Sequence, residues 1–371
     1  MSEGFDATPG QDSATPAGPA DLPRGRGETT LPGAGSLIKI SVIVPVRNEE
    51  KSVAALLDGL LGQTRPPDEI VISDNGSTDR TAEVIEGYMR RGAPVRLLRE
   101  RAGFPGRGRN VAAAAASNDW LAFIDAGIRP ESHWLEHLAA RARQEPAADV
   151  IYGNWEPVTD SFFKQCAAMA YLPPPAEVEG GWVRPRFIAS SLVRRAAWLA
   201  VGGFPEHLRS AEDILFMDEL ERAGFRATYE PRAVVRWDIQ PDLRRTLRRF
   251  TSYSRHNLRA GLWRQWHAPV LRRYALLAAL LAPAPFVGAW WLAVVAGLWL
   301  LMLLARAAVA LRRNRRVYPA GAGRQLLRLC ALVPVIATLD AATIAGSADW
   351  LFRDKLGLAG ASAKGTNERP V

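Results

Sequence analysis

Four carboxylate positions and one basic stretch hold most of this chain's capacity for chemistry. Asp74 ends the apolar run Glu69-Ile-Val-Ile-Ser-Asp74, and Asp125 ends another, Trp120-Leu-Ala-Phe-Ile-Asp125. In an open α/β sheet, a carboxylate at the C-terminal end of a buried strand opens into the crevice where ligands bind. There Asp74 can accept from a ligand N–H, or it can close its own loop as an Asx-turn. Glu212 and Asp213 follow a Gly202-Gly203 turn as an adjacent acidic pair. One such carboxylate, held near a hydroxyl, can take its proton, an effect worth about 10²–10⁴-fold. Favourable charge at a helix start is the other reading of that pair. Arg107 and Arg109, set among Gly106 and Gly108, read as a flexible basic loop suited to phosphate or base contacts, or as a solvated surface loop.

The elements that must position these groups follow from the apolar pattern. Ile38–Val44, Glu69–Asp74, Val95–Leu98, Trp120–Asp125 and a segment near Val150–Tyr152 read as strands. Between them Glu49–Leu61, Thr81–Arg90, Asn110–Ser117 and His133–Arg143 read as helices, with Asp79 best placed as a helix cap. Strands alternating with helices through short loops predict a doubly wound, mostly parallel α/β sheet. Residues 153–183 read as loop and irregular helix. Arg186–Val193 reads as a strand, Arg194–Val201 and Glu212–Ala223 as helices, and Ala227–Trp237 as a strand pair around Pro231.

The 371 residues leave room for a large domain and an appendage, and the net charge of +9 is unevenly spread. Pro241–Arg273 contains nine arginines against the single acid Asp242, and Arg306–Arg316 holds five more. These clusters flank Tyr274–Ala305, a run of 32 residues without a charge. Basic flanks beside an apolar run point to a membrane surface, and no aromatic-interleaved basic sheet or finger spacing points to nucleic acid. Leu243, Leu247, Phe250, Tyr253, Leu258, Leu262 and Trp266 recur at helical spacing among arginines, the pattern of an interfacial amphipathic helix. The uncharged run is too long for one span of about 20 residues and short for two, so a tight hairpin turning at Pro283–Gly288 is expected. Leu329–Ala348, carrying Asp340 and Pro334, is a third candidate span. Cys166 and Cys330 lack ligand spacing and read as free thiols. The expected organisation is a disordered tail over 1–36, a catalytic domain over 37–240, basic interfacial helices over 241–273, two or three membrane helices over 274–352, and a polar tail over 353–371.

Ser41-Val-Ile-Val-Pro-Val-Arg-Asn-Glu49, Val71-Ile-Ser-Asp-Asn-Gly-Ser-Thr-Asp79, Gly108-Arg-Asn110, the strand ending at Asp125, Gly202-Gly203-Phe204 and Ala211-Glu212-Asp213 occur in this order. The series resembles family 2 glycosyltransferases over roughly residues 36–257. The resemblance implies a GT-A fold, here followed by an α-helical membrane region. It implies that Asp74 binds the base of a nucleotide sugar in a pocket lined by Pro45 and Glu49. Arg109, Asn110 and Asp125 would also meet the donor, and Asp213, beside Glu212, would be the general base of an inverting transfer. It further implies Asp-x-Asp at the end of the central strand, with the second carboxylate as principal metal ligand. That position is Gly127 here, and Trp237 stands near where a later histidine ligand is often found. Mg²⁺ or Mn²⁺ would then rest on Asp125, substrate phosphates and water, or arginines such as Arg244, Arg245 or Arg248 would neutralise the leaving diphosphate. The expected activity is non-processive transfer, since a Gln-x-x-Arg-Trp motif and a long series of spans are lacking. The acceptor would be a lipid-linked or cell-envelope glycan, at the cell membrane with the catalytic domain on the cytoplasmic side. A non-catalytic sugar-nucleotide-binding scaffold is the competing expectation. A nucleotidyltransferase would need a glycine-rich loop that Pro45-Val-Arg-Asn48 does not supply.

Overall fold

The computed structural model describes residues 38–178 and 180–357, so the expected N-terminal tail and most of the C-terminal tail lie outside it. The chain runs β1 (Ile40–Val46), α1 (Val53–Leu61), β2 (Glu69–Asp74), α2 (Thr81–Arg90), β3 (Val95–Arg99), α3 (Pro105–Ala115) and β4 (Trp120–Phe123). It continues through β5 (Ile128–Pro130), α4 (Trp134–Gln144), β6 (Val150–Val158), α5 (Phe162–Tyr171), and the strand pair β7 (Ala176–Val178) and β8 (Gly181–Val183). Then come β9 (Ser191–Arg194), α6 (Arg195–Ala200), α7 (Glu212–Arg222) and β10 (Ala227–Asp238).

Eight strands form one sheet in the order β3-β2-β1-β4-β9-β6-β10-β5. The β1, β2, β3 and β4 pairings are parallel, as is β6 with β10; β9 runs antiparallel between β4 and β6, and β5 antiparallel to β10. Period-two alternation feeds two cores. Val42, Val44, Trp120, Ala122 and Ile124 face one, while Ile43, Leu121 and Phe123 face the other. A sheet covered on both faces explains why these strands read as nearly continuous apolar runs. The sequence goes one way from β1 to β2 and β3, then returns to its other side at β4. That reversal sets the crevice between the ends of β1 and β4.

Several expected elements are corrected. Ala227–Trp237 is one strand, whose pairing to β6 slips between Tyr229 and Val234, so Pro231 sits in an irregularity rather than a turn. Within residues 153–183, expected as loop and irregular helix, lie the continuation of β6, the regular helix α5 and a small hairpin. Of the expected Arg186–Val193 strand only Ser191–Val193 is extended, in a strand that runs on to Arg194 after a 3₁₀ turn at Ile188–Ser190. The expected helix at Asn110 begins at Pro105, so Arg107 and Arg109 are helical, not on a flexible loop. Gly106 and Gly108 serve close approach. A Cβ at Gly108 would meet the Asn75 side chain, and one at Gly106 the Pro205 carbonyl.

Beyond the sheet lie α8 (Leu243–Arg259), α9 (Trp263–Trp266), α10 (Ala268–Ala279), α11 (Ala284–Val287), α12 (Trp290–Asn314) and α13 (Ala322–Trp350). Asp242 caps α8 by accepting from Arg245 N at 2.7 Å. The stretches Ala268–Val287, Trp290–Asn314 and Ala322–Lys355 are long and apolar enough to cross a membrane. Leu332 and Ile336 of α13 pack with Leu303 and Ala307 of α12 against Cys166 and Met169 of α5. Farther along α13, Gly346 lies on α8, where a Cβ would come within 2.6 Å of the Thr251 carbonyl. Asp340 is 1 % exposed and is paired with Arg306 and, at 3.7 Å, Arg273.

Candidate active site

Two loops frame the crevice on the β1–β2 side, and they are locked together. Asn48, with φ of 56°, accepts from Thr78 N at 2.8 Å through its side chain while its own N–H donates to Ser77 Oγ at 2.9 Å. Glu49 N donates to Thr81 Oγ1 at 2.7 Å, and Asn75 N to the Val46 carbonyl at 2.9 Å. Asp74, 5 % exposed at the end of β2, accepts from Ser77 N at 2.8 Å, so one carboxylate oxygen closes the turn. Asp79 accepts from Thr81 N at 3.0 Å and serves the first turn of α2. Pro45 is buried within β1. Glu49 lies at the crevice; burial raises its carboxyl pKa, the Ser52 hydroxyl opposes that rise, and Asp125 adds to it.

On the β4 side, the strand stops at Phe123 and Asp125 opens a turn closed by Ile128 N donating to the Asp125 carbonyl at 3.0 Å. Gly127 is exposed in this turn, and nothing lies within 4 Å of where its Cβ would be. Arg109 reaches across from α3. Its Nη2 donates to Asp125 Oδ1 at 2.8 Å and its Nη1 to Glu212 Oε1 at 2.6 Å. The Arg109 side chain is 4 % exposed, and its guanidinium carbon lies 5.4 Å from the centroid of Phe204. Phe204 in turn stacks on Phe216 at 3.9 Å and meets Phe123 at 5.3 Å, so an aromatic floor fixes the guanidinium. Burial alone would lower the Arg109 pKa, but Asp125 and Glu212 outweigh it and hold the group charged.

The acidic pair heads α7, where Ala211 takes the left-handed conformation with φ of 70°. A non-glycine residue held there is strained, and such strain clusters at sites that must aim a side chain. Burial pushes the Glu212 carboxyl up to about 7 against the pull of Arg109, and its Oε2 is buried without a partner among the described residues. Burial raises the Asp213 carboxyl as well, with Arg109 opposing. Asp213 accepts from Ile214 N at 2.9 Å. The structure thus brings Asp125, Glu212 and Asp213 together around Arg109, with Glu49 across the crevice.

Asn110 is placed differently. Its amide donates to the Phe204 carbonyl at 2.9 Å and to Glu206 at 3.1 Å, and its oxygen accepts from Phe204 N at 2.8 Å. It staples α3 to the Gly203–Glu206 loop rather than facing the crevice. Arg244, Arg245 and Arg248 line an open groove with Asp242 at the start of α8. The arginine of α8 that does meet the site is Arg249, whose charge is felt by both Glu49 and Asp125. The only sequence signal for it was its four-residue spacing from Tyr253 on one helix face. A tightly held divalent cation does not fit this donor set. One Asp125 oxygen is taken by Arg109, position 127 has no side chain, and no group of three or more His, Cys, Asp or Glu among the described residues could hold a metal.

Residues 41–176 match the family model for Glycosyl transferase family 2. Among relatives, poly(ribitol-phosphate) beta-N-acetylglucosaminyltransferase TarS of Staphylococcus aureus strain Mu50 is 33 % identical over 193 residues, 48 % of this chain and 32 % of that protein. Pre-mycofactocin glycosyltransferase of Mycobacterium tuberculosis strain H37Rv is 26 % identical over 237 residues, 60 % of this chain and 47 % of the relative. The chain therefore covers a third to a half of these relatives' lengths. The mannosyltransferase PcManGT from Pyrobaculum calidifontis, solved with GDP-Man and Mn²⁺, is similar in structure with a TM-score of 0.51 at 21 % identity. That likeness covers 87 % of this chain and 89 % of that one. The fold is GT-A.

Proposed function

We infer that this chain, whose residues 41–176 match the family model for Glycosyl transferase family 2, moves a sugar from a nucleotide donor to a hydroxyl of a lipid-linked or cell-envelope glycan. The observation that carries this reading is the convergence of Asp125, Glu212 and Asp213 on the buried Arg109 at the C-terminal edge of β4. Asp74, Pro45 and Glu49 border the place for the nucleoside, and Asp125 is the donor-side carboxylate at the switch point. Asp213 is the base. As the acceptor oxygen attacks the anomeric carbon, its proton passes to the Asp213 carboxylate, the carbon–oxygen bond to the diphosphate breaks, and the nucleoside diphosphate leaves with the electron pair. A single displacement of this kind inverts the anomeric carbon. Arg109 and Glu212 position the two working carboxylates, and the raised Asp213 pKa makes it a stronger base than an exposed aspartate.

The apolar helices anchor the enzyme where a lipid-linked acceptor resides. Phe286, 91 % exposed, and Trp290 stand at the hairpin turn, and Trp263 and Trp266 are exposed before its first arm. The tryptophans before the first arm suit the headgroup level, and the arginine clusters on both flanks suit a cytoplasmic, anionic leaflet. The domain divisions follow: a transferase domain to about residue 240, the basic helices at the interface, then the membrane helices.

The test is transfer from a panel of radiolabelled nucleotide sugars to a lipid extract of the source membranes, with wild-type protein and Asp213→Asn. The variant is expected to retain donor binding and lose transfer by at least about 10²-fold. Undiminished transfer by Asp213→Asn would sink the catalytic assignment, and donor binding without transfer by the wild type would favour the scaffold reading.

A further inference from the structure

The crevice has a charge problem. Asp125, Glu212 and Asp213 surround the guanidinium of Arg109, which is already committed to two of them, and Glu49 adds a fourth carboxyl near Asp125. A sugar nucleotide brings a diphosphate into that ring, and like charges at such distances repel strongly in a partly buried site. Some cation must meet it. The donor set does not hold a metal well, because Gly127 contributes no side chain and Arg109 occupies one oxygen of Asp125.

A fixed cation stands in the right place. Arg249 Nε donates to Tyr253 Oη at 2.7 Å, one turn along α8. Its guanidinium carbon is 5.4 Å from the Tyr253 ring centroid and 5.6 Å from that of Trp237. Trp237 pairs in register with Ile128, the residue that closes the Asp125 turn. Arg249 therefore lies over the strand next to Gly127, on the same side as Asp125. Phe250 seals the helix onto the domain through Tyr171 at 4.8 Å. One nitrogen is anchored on the Tyr253 hydroxyl, and the group lies beside the Trp237 ring. The terminal Nη groups carry the fork of donors that suits phosphate oxygens.

The geometry points to Arg249 as the group that binds the donor diphosphate, in the place where a divalent cation would otherwise bridge it, so that donor binding and transfer are independent of metal. This rests on the sugar-nucleotide reading for the identity of the diphosphate. Arg244, Arg245 and Arg248, exposed on the preceding turn, add to the local positive field. Arg249 meets the substrate, while Tyr253 and Trp237 are positioning residues that hold its orientation.

The experiment is calorimetric titration of the full chain in detergent micelles with inorganic pyrophosphate and with UDP, first in EDTA and then with Mn²⁺. Both probes are expected to bind in EDTA, with Mn²⁺ changing their affinity less than threefold. Arg249→Met should weaken pyrophosphate at least tenfold, and Arg249→Lys by an intermediate factor, because a point charge keeps the attraction but loses the fork. Binding that requires Mn²⁺, or Arg249→Met that binds as the parent does, overturns the proposal. If Arg249→Met fails to fold by circular dichroism, Tyr253→Phe takes its place. That variant frees Nε without removing the charge; it should weaken pyrophosphate about threefold, and unchanged affinity overturns the proposal. Gly127→Asp supplies the reciprocal control, since its side chain enters open space. It should bring Mn²⁺ binding, visible by electron paramagnetic resonance, that the parent lacks; equal Mn²⁺ binding by the parent overturns the proposal. Pyrophosphate bound through Arg249 by a chain that transfers no sugar would leave this inference standing and remove the proposed function. Transfer that works only with Mn²⁺ would do the reverse.

Discussion

Arg109 is the residue on which the site closes, and its removal has a calculable direction. Arg109→Met leaves Glu212 buried and unpaired, and breaking a buried pair from one side costs about 3–5 kcal/mol. A large fall in the midpoint of urea unfolding is the expected result, with transfer lost in the protein that remains folded. Glu212 makes a second prediction. Its folded pKa, pushed by burial to about 7, lies above the ordinary carboxyl value of 4.5, so the folded state binds this proton more tightly than the unfolded one. The stabilisation is complete below about 4.5 and is lost as pH rises toward 7. Melting temperature followed across that window should fall with rising pH more steeply in the wild type than in Glu212→Gln, which cannot titrate there. Equal slopes would show that Glu212 is ionised throughout. At this scale the sequence was informative about types and poor about partners. Asp74, Asp125 and the Glu212-Asp213 pair were legible because each follows an apolar run or a glycine turn. That Asn110 would spend both ends of its amide on the Phe204 loop was not, because the loop lies 94 positions away along the chain.

Helix α3 shows how an element can be misread from correct chemical clues. Gly106 and Gly108 are poor helix formers, and their presence beside two arginines suggested a flexible loop. The overlooked signal was Pro105, which occupies the first turn, where its missing N–H costs nothing. The glycines are needed because α3 must pass close to Asn75 and to the Pro205 carbonyl, and this closeness brings Arg109 to the end of β4. Overpacking of this kind costs about 1–3 kcal/mol. Gly106→Ala, whose Cβ would come within 2.4 Å of the Pro205 carbonyl, is therefore expected to lower stability by that amount and to weaken UDP binding, whereas Gly127→Ala, in open space, should leave melting temperature unchanged. Thermal unfolding of the two variants side by side distinguishes close approach from loop flexibility, since flexibility predicts that both alanines are tolerated. The strands were legible for the opposite reason: β1, β2 and β4 are buried on both faces, so their apolar runs are uninterrupted. Helix α8 was legible as amphipathic, but choosing Arg249 over its neighbours required knowing which face meets Trp237.

At the scale of the whole molecule, the position of α13 decides how the apolar helices meet a bilayer. Its first half packs on α5 through Leu332 and Ile336, and Arg328 donates to Gln165 at 3.1 Å. Its far end is tied to α8, where Arg255 and Arg259 pair with Asp354 at 3.0 and 2.5 Å. A helix held to the same domain near both ends lies along that domain and does not leave it. The projecting part is the α10–α12 hairpin, rooted where Arg273 and Arg306 meet Asp340. From that charged layer the uncharged arms, 274–286 and 290–305, rise roughly 20 and 24 Å at 1.5 Å per residue. The hydrocarbon core is about 30 Å thick. The expected arrangement is a hairpin that enters one leaflet, turns at Phe286 inside the bilayer, and returns to the face from which it came. Single cysteines at Arg272, Phe286 and Arg316, in a Cys330→Ser background that removes the exposed native thiol, test this in sealed vesicles of known orientation. A membrane-impermeant maleimide should label 272 and 316 from the side of the catalytic domain. It should leave 286 unlabelled from either side until detergent is added. Labelling of 286 from the opposite side would mean that the hairpin crosses, and would require the Arg273–Asp340–Arg306 layer to sit inside the hydrocarbon, where a charged cluster is costly.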